Sequence, residues 1–139
     1  MRWSSIKGDR LLVESSPPNG SPPLIAVVDD DEDVSSALGS LIESMGIDAM
    51  TFGSADIFLA DRDRRFDLVI SDVQMPGTSG LELAKILRKE AVPLILITAF
   101  PSPEVKQQAI AQGVRCFMRK PFDPDQLIDC IERILAGDL

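Results

Sequence analysis

From Leu24 onward the apolar positions of the chain switch back and forth between two periods. Three short runs, "LIAVV" (24–28), "DLVIS" (67–71) and "PLILIT" (93–98), are almost uniformly apolar, as strands covered on both faces are. "IDAMTF" (47–52) and "VRCFM" (114–118) read as two further strands. Between the runs the spacing lengthens to three and four residues. "VSSALGSLIESMG" puts Val34, Leu38, Leu41 and Met45 on one helical face, and "SGLELAKILRKE" turns Leu83, Ile86 and Leu87 inward. "SADIFLA" predicts a short helix capped by Ser54, and "SPEVKQQAIAQG" one opened near Pro103 and stopped at Gly113. The last, "DPDQLIDCIERILAG", carries a stripe of Leu127, Ile131 and Leu135. Five strands alternating with five helices predict an α/β fold with a doubly wound parallel sheet. Residues 1–23, rich in Ser, Pro and Gly, read as a flexible leader, and 24–139 as one domain.

Charge narrows the choice of partners. Fourteen basic against 22 acidic residues give a net charge of -8, which disfavours direct binding to nucleic acid or to an anionic membrane. No apolar run approaches the ~18 residues of a membrane span, and the leader has no secretory h-region, so a cytoplasmic location is expected. Cys116 and Cys130 fall in an apolar strand and a helix and read as buried, reduced thiols. Histidine is absent, which removes His-based triads and metal sites and leaves any histidine chemistry to a partner.

Ligands of doubly wound sheets bind beyond the carboxyl ends of the strands, so the residues that end each strand matter most. They are Asp29 and Asp30 after strand one, Asp72 after strand three, Thr98 after strand four and Lys120 after strand five. Three carboxylates, a hydroxyl and an ammonium would then share one rim. Asp29, Asp30 and Asp31 are consecutive, and charges ~4–5 Å apart repel by about 3–4 kcal/mol at an effective dielectric of about 20. Asp31 is assigned to the start of helix one, where the macrodipole favours it.

With their flanks, "VVDDDEDV", "DLVISDVQMPGTSG", "LILITAF" and "CFMRKPF", these residues closely resemble the receiver domain of two-component response regulators. The resemblance runs from Leu24 to about Ala136 and includes Met75-Pro76 and Gly80 after Asp72. It implies a flavodoxin-like (βα)5 fold with strand order 2-1-3-4-5. It implies that Asp72 accepts a phosphoryl group from a sensor histidine kinase or phosphotransfer protein. Asp29, Asp30, Asp72 and the backbone carbonyl of Gln74 would hold Mg²⁺ or Mn²⁺, and Thr98 and Lys120 would contact the phosphoryl oxygens. Thr98 and Phe117 would form the switch, Pro121 would follow a cis bond, and Ala99 would leave room for the donor. By the same resemblance the chain is a phosphoacceptor that assists its own phosphorylation and dephosphorylation, rather than an enzyme. It would signal to a downstream protein or output domain through helix four, strand five and helix five, with phosphorylation-dependent homodimerisation there. Phe100 would shield the phosphate from water.

Two rival readings follow from the same residues. A haloacid-dehalogenase-like phosphatase would place its DxD motif in "DDDED", but Glu32 and Asp33 stand where that motif has Thr or Val, and "SDVQMPG" and "KPF" go unexplained. A receiver-like scaffold that is never phosphorylated would not need every acidic, hydroxyl and lysine position filled.

Overall fold

A computed structural model describes residues 22–61 and 64–139. Most of the leader read over residues 1–23, namely residues 1–21, lies outside the described residues. In chain order the elements are β1 (Leu24–Val28), α1 (Glu32–Ser44), β2 (Asp48–Phe52), α2 (Ala55–Ala60) and β3 (Leu68–Asp72). Then follow α3 (Gly80–Lys89), β4 (Leu94–Thr98), α4 (Pro103–Ala111), β5 (Cys116–Arg119) and α5 (Pro124–Leu135). All strand pairs are parallel, in the order β2-β1-β3-β4-β5 that the resemblance implied.

The strands alternate sides, and each side has its own core. Val28, Val69, Leu94 and Leu96 face α2, α3 and α4, packing with Phe58, Leu83, Leu87 and Ala109. Ile25, Val27, Ile70, Ile95 and Ile97 face α1 and α5, packing with Leu38, Ile42, Leu127, Ile131 and Ile134. Both sides of β1, β3 and β4 are therefore apolar, which is why these strands read as unbroken runs. Phe52, Phe58 and Phe66 close the first core at its edge, with ring centroids 5.3, 5.9 and 5.5 Å apart.

Some inward positions differ from those read along the chain. On α3 the buried set is Gly80, Leu83, Ala84 and Leu87, and Ile86 is half-buried. The true face is i, i+3, i+4, i+7 from Gly80, which puts Ile86 on its flank. On α1 Leu38 and Ile42 are buried, with Val34, Leu41 and Met45 at the margin. On α5 Ile134 is buried where Leu135 was expected, and Leu135 is half-buried. Cys116 and Cys130 are free but half-buried rather than buried. Burial, reinforced by the neighbouring Cys130 thiol, pushes Cys116 up to about 12, so it carries almost no thiolate at neutral pH. No helix among the described residues is long and apolar enough to cross a membrane.

Candidate functional site

The sheet register brings the strand ends level. Asp72 pairs with Ile97, Thr98 with Arg119, and Val28 with both Phe52 and Ser71. The ladder runs one residue further, with Asp29 N–H donating to the Phe52 carbonyl (3.1 Å) and Lys120 N–H to that of Thr98 (2.8 Å). Asp29, Asp72, Thr98 and Lys120 therefore lie along one rim of the sheet.

Each member of the consecutive aspartates has a separate environment. Asp29 is 3% exposed, and its Oδ1 accepts from Asp31 N–H at 2.9 Å. Asp31 caps α1, accepting from the N–H groups of Asp33 and Val34 at 3.0 and 3.3 Å, as its assignment to the helix start required. Asp30 is exposed, yet one carboxylate oxygen from each of Asp29, Asp30 and Asp72 lies within 4.8 Å of the others. The buried Ser35 hydroxyl donates to the Asp29 carbonyl at 3.3 Å, tying the first turn of α1 to the strand end.

Asp72 is 8% exposed. Burial first, and the charge of Asp29 second, hold its carboxyl above the usual range despite the opposing pull of Lys120. The Lys120 ammonium bridges the two carboxylates, 2.9 Å from Asp29 Oδ2 and 3.2 Å from Asp72 Oδ2. Burial disfavours that ammonium, but its hydrogen bonds and charge pairing with Asp29 and Asp72 outweigh this and raise its pKa. The bond between Lys120 and Pro121 is cis. Gln74 N–H reaches Asp72 Oδ1 at 3.4 Å. Thr98 is fully buried, and its Oγ1 accepts from Phe100 N–H at 3.1 Å. Phe117 is half-buried and points into the core shared by α3 and α4, on the opposite side of β5 from Met118. Phe100 is 69% exposed and Ala99 is exposed at the rim.

Three hard oxygen donors clustered at the rim, repelling one another, suit a divalent cation such as Mg²⁺. A family model for the response regulator receiver domain matches residues 25–132. The chain belongs to the response regulator receiver family. The receiver is 36% identical over 115 residues to response regulator protein TodT of Pseudomonas putida, covering 81% of this chain and 51% of that protein. It is 33% identical over 120 residues to transcriptional regulatory protein TdiR of Thauera aromatica, covering 84% and 53%. It thus spans about half the length of these curated relatives. Among solved structures, a receiver protein of Burkholderia phymatum aligns with TM-score 0.73 at 42% identity, covering 82% of this chain and 95% of that one. A CheY-like receiver of Methanospirillum hungatei aligns with TM-score 0.80 at 25% identity, covering 85% and 97%. Two-component phosphorelay signalling is the function this membership carries, and it does not favour the phosphatase or the scaffold reading.

Two contacts of the receiver, those of Ser71 and Asp56, had no clear signal in the sequence, and Gly80, read there only as a motif residue, has a steric reason. The buried Ser71 hydroxyl donates to the Asp72 carbonyl at 2.8 Å, although Ser71 reads simply as the end of an apolar run. Gly80 lies so close to that strand that a Cβ there would stand 2.3 Å from the Asp72 carbonyl oxygen. Asp56, which looks like an ordinary acid at a helix start, reaches across to Thr78.

Proposed function

We propose that the receiver takes a phosphoryl group on Asp72 from a phosphohistidine of a sensor kinase or phosphotransfer protein. The observation that carries this reading is the convergence of Asp29, Asp30 and Asp72 within 4.8 Å, with Lys120 across Asp29 and Asp72. The sequence contains no histidine, so the donor ring lies outside these 139 residues. An Asp72 carboxylate oxygen forms the new P–O bond as the donor's N–P bond breaks, and that electron pair returns to the imidazole. Little covalent work is needed from other groups, because such transfers are governed by alignment and charge.

Asp29, Asp30, Asp72 and the Gln74 carbonyl would hold Mg²⁺ or Mn²⁺, and the bound ion would neutralise charge on the transferring phosphoryl oxygens. Lys120 supplies a compact cation able to turn from the carboxylates to those oxygens. Thr98 Oγ1 accepts a hydrogen bond from Phe100 while still carrying a proton of its own to donate to the phosphate. Drawing Thr98 toward the phosphate, with Phe117 following, favours one of two pre-existing arrangements of the α4–β5–α5 surface. That surface would meet a downstream protein, an output domain or a second copy of the chain.

The test is intact mass after incubation with a small acyl phosphate and Mg²⁺. One added phosphoryl group, removed by hydroxylamine and absent from Asp72→Asn, is the expected result. Phosphate released from the donor with no adduct and no dependence on Asp72 would overturn it.

A further inference from the structure

Asp56 sits in the first turn of α2, exposed, and nothing in the site just described requires it. Its carboxylate nevertheless turns away from its own helix. Thr78 N–H donates to Oδ2 at 3.2 Å, and the Thr78 hydroxyl donates to Oδ1 at 2.6 Å. Both oxygens are engaged by a residue 22 positions away, and the second bond has the short length of a charge-assisted hydrogen bond. The backbone of the 73–79 loop is shaped around this contact. Gly77 has φ +79, and a Cβ there would stand 2.1 Å from Asp56 Oδ2, so the carboxylate occupies the space a side chain would need. The hydrogen bonds from Thr78 also hold Asp56 below the ordinary carboxylate range.

The same loop carries Gln74 and leads into Ser79. Ser79 caps α3 in a reciprocal pair with Glu82, at 2.9 and 3.1 Å. One end of the loop is thus tied to Asp72 through Gln74 N–H, the other to α3, and the middle to α2. We infer that Asp56 is a positioning residue that pins the β3–α3 loop through Thr78 and so presents the loop backbone at Gln74 to the acidic pocket. The inference rests on the proposed cation site. An acid that served only the α2 macrodipole would have no need of the Thr78 hydroxyl.

The experiment is calorimetric titration with Mg²⁺ alone, paired with amide hydrogen exchange over residues 74–79, on the parent, Asp56→Ala, Thr78→Val and Thr78→Ser. Outer-shell partners of a metal site typically govern affinity by about tenfold or more. Asp56→Ala is therefore expected to weaken Mg²⁺ binding about tenfold and to speed exchange in the loop. Thr78→Val should weaken binding less, and Thr78→Ser should restore the parental affinity. If Asp56→Ala does not fold, Thr78→Val against Thr78→Ser decides, because only the hydroxyl and one methyl group distinguish the three side chains. Parental Mg²⁺ affinity in folded Asp56→Ala and in Thr78→Val would overturn the inference alone. A parent that binds no Mg²⁺ would overturn the cation site and the inference together.

Discussion

Helices α3 and α4 begin alike and end up held very differently. Each follows a strand that ends at the rim, β3 at Asp72 and β4 at Thr98. Each is capped by a serine whose hydroxyl accepts from the N–H three residues on, at 3.1 Å in both cases. Beyond the cap, α3 buries Gly80, Leu83, Ala84 and Leu87, with Gly80 pressed against the backbone of Asp72. Helix α4 buries only Ala109, and Ile110 on it and Phe100 just before it are 63% and 69% exposed. Hydrophobic stabilisation scales with the apolar area removed from water, so α4 is far cheaper to displace than α3. At the rim, β3 is thus backed by a well-buried helix, and the segment after Thr98 by a sparsely buried one. On the proposed function that division is useful, since a phosphoryl group aligned on Asp72 would have to be felt by the α4–β5–α5 surface.

The largest expected effect breaks or upholds this contrast in packing. Leu83→Ala should cost about 2–5 kcal/mol, as buried leucine truncations do, read by urea unfolding. Ile110→Ser on α4 should stay within about 0.5 kcal/mol, as exposed substitutions do. Similar losses from both variants would show α4 to be as firmly packed as α3.

A second prediction concerns what the rigid α3 side is holding. Asp72 is kept above its usual pKa by burial and by Asp29, so the native state binds its proton more tightly than the unfolded chain. Its contribution to stability is then present below the unfolded value of 3.8 and lost as pH rises through the raised folded one. At neutral pH the ionised group strains the fold, and Asp72→Asn should melt higher than the parent in a chelating buffer. The gap should narrow as pH falls through the raised folded pKa and have closed once the pH is below the unfolded value of 3.8. A lower melting temperature for Asp72→Asn at pH 7 would mean that Lys120 repays more than burial takes. The smallest effect is expected at the α4 side of the rim. Phe100→Gly should shorten the lifetime of the phosphorylated receiver without changing its stability appreciably, followed by loss of label after the donor is removed. Equal or longer lifetimes would leave Phe100 no shielding role.

The cluster "DDD" shows how far the sequence could be read. That Asp31 opens α1 was legible, because capping is a matter of neighbouring residues. That Asp29 and Asp30 meet Asp72 was legible only through the strand-end rule and the family resemblance, because it depends on which strands are neighbours. Lys120 was expected to serve a phosphate, and its present bridge between Asp29 and Asp72 was not read from the chain. Ile86 was placed inward because its neighbours share its period, and the helix rotates by a fraction of a turn to seat Ala84 instead.

By itself the sequence determined the ten elements, their alternation and the identity of each residue at the strand ends. Those features arise from periodicity, caps and turns, which act over a few residues. Only the tertiary structure decided what those ends face. The parallel register set Asp29 beside Asp72 and brought Lys120 to both, and the packing of α2 near the β3–α3 loop joined Asp56 to Thr78. A contact between residues 22 or 48 positions apart is fixed by strand order, helix rotation and close packing, and these are properties of the assembled core rather than of any one segment.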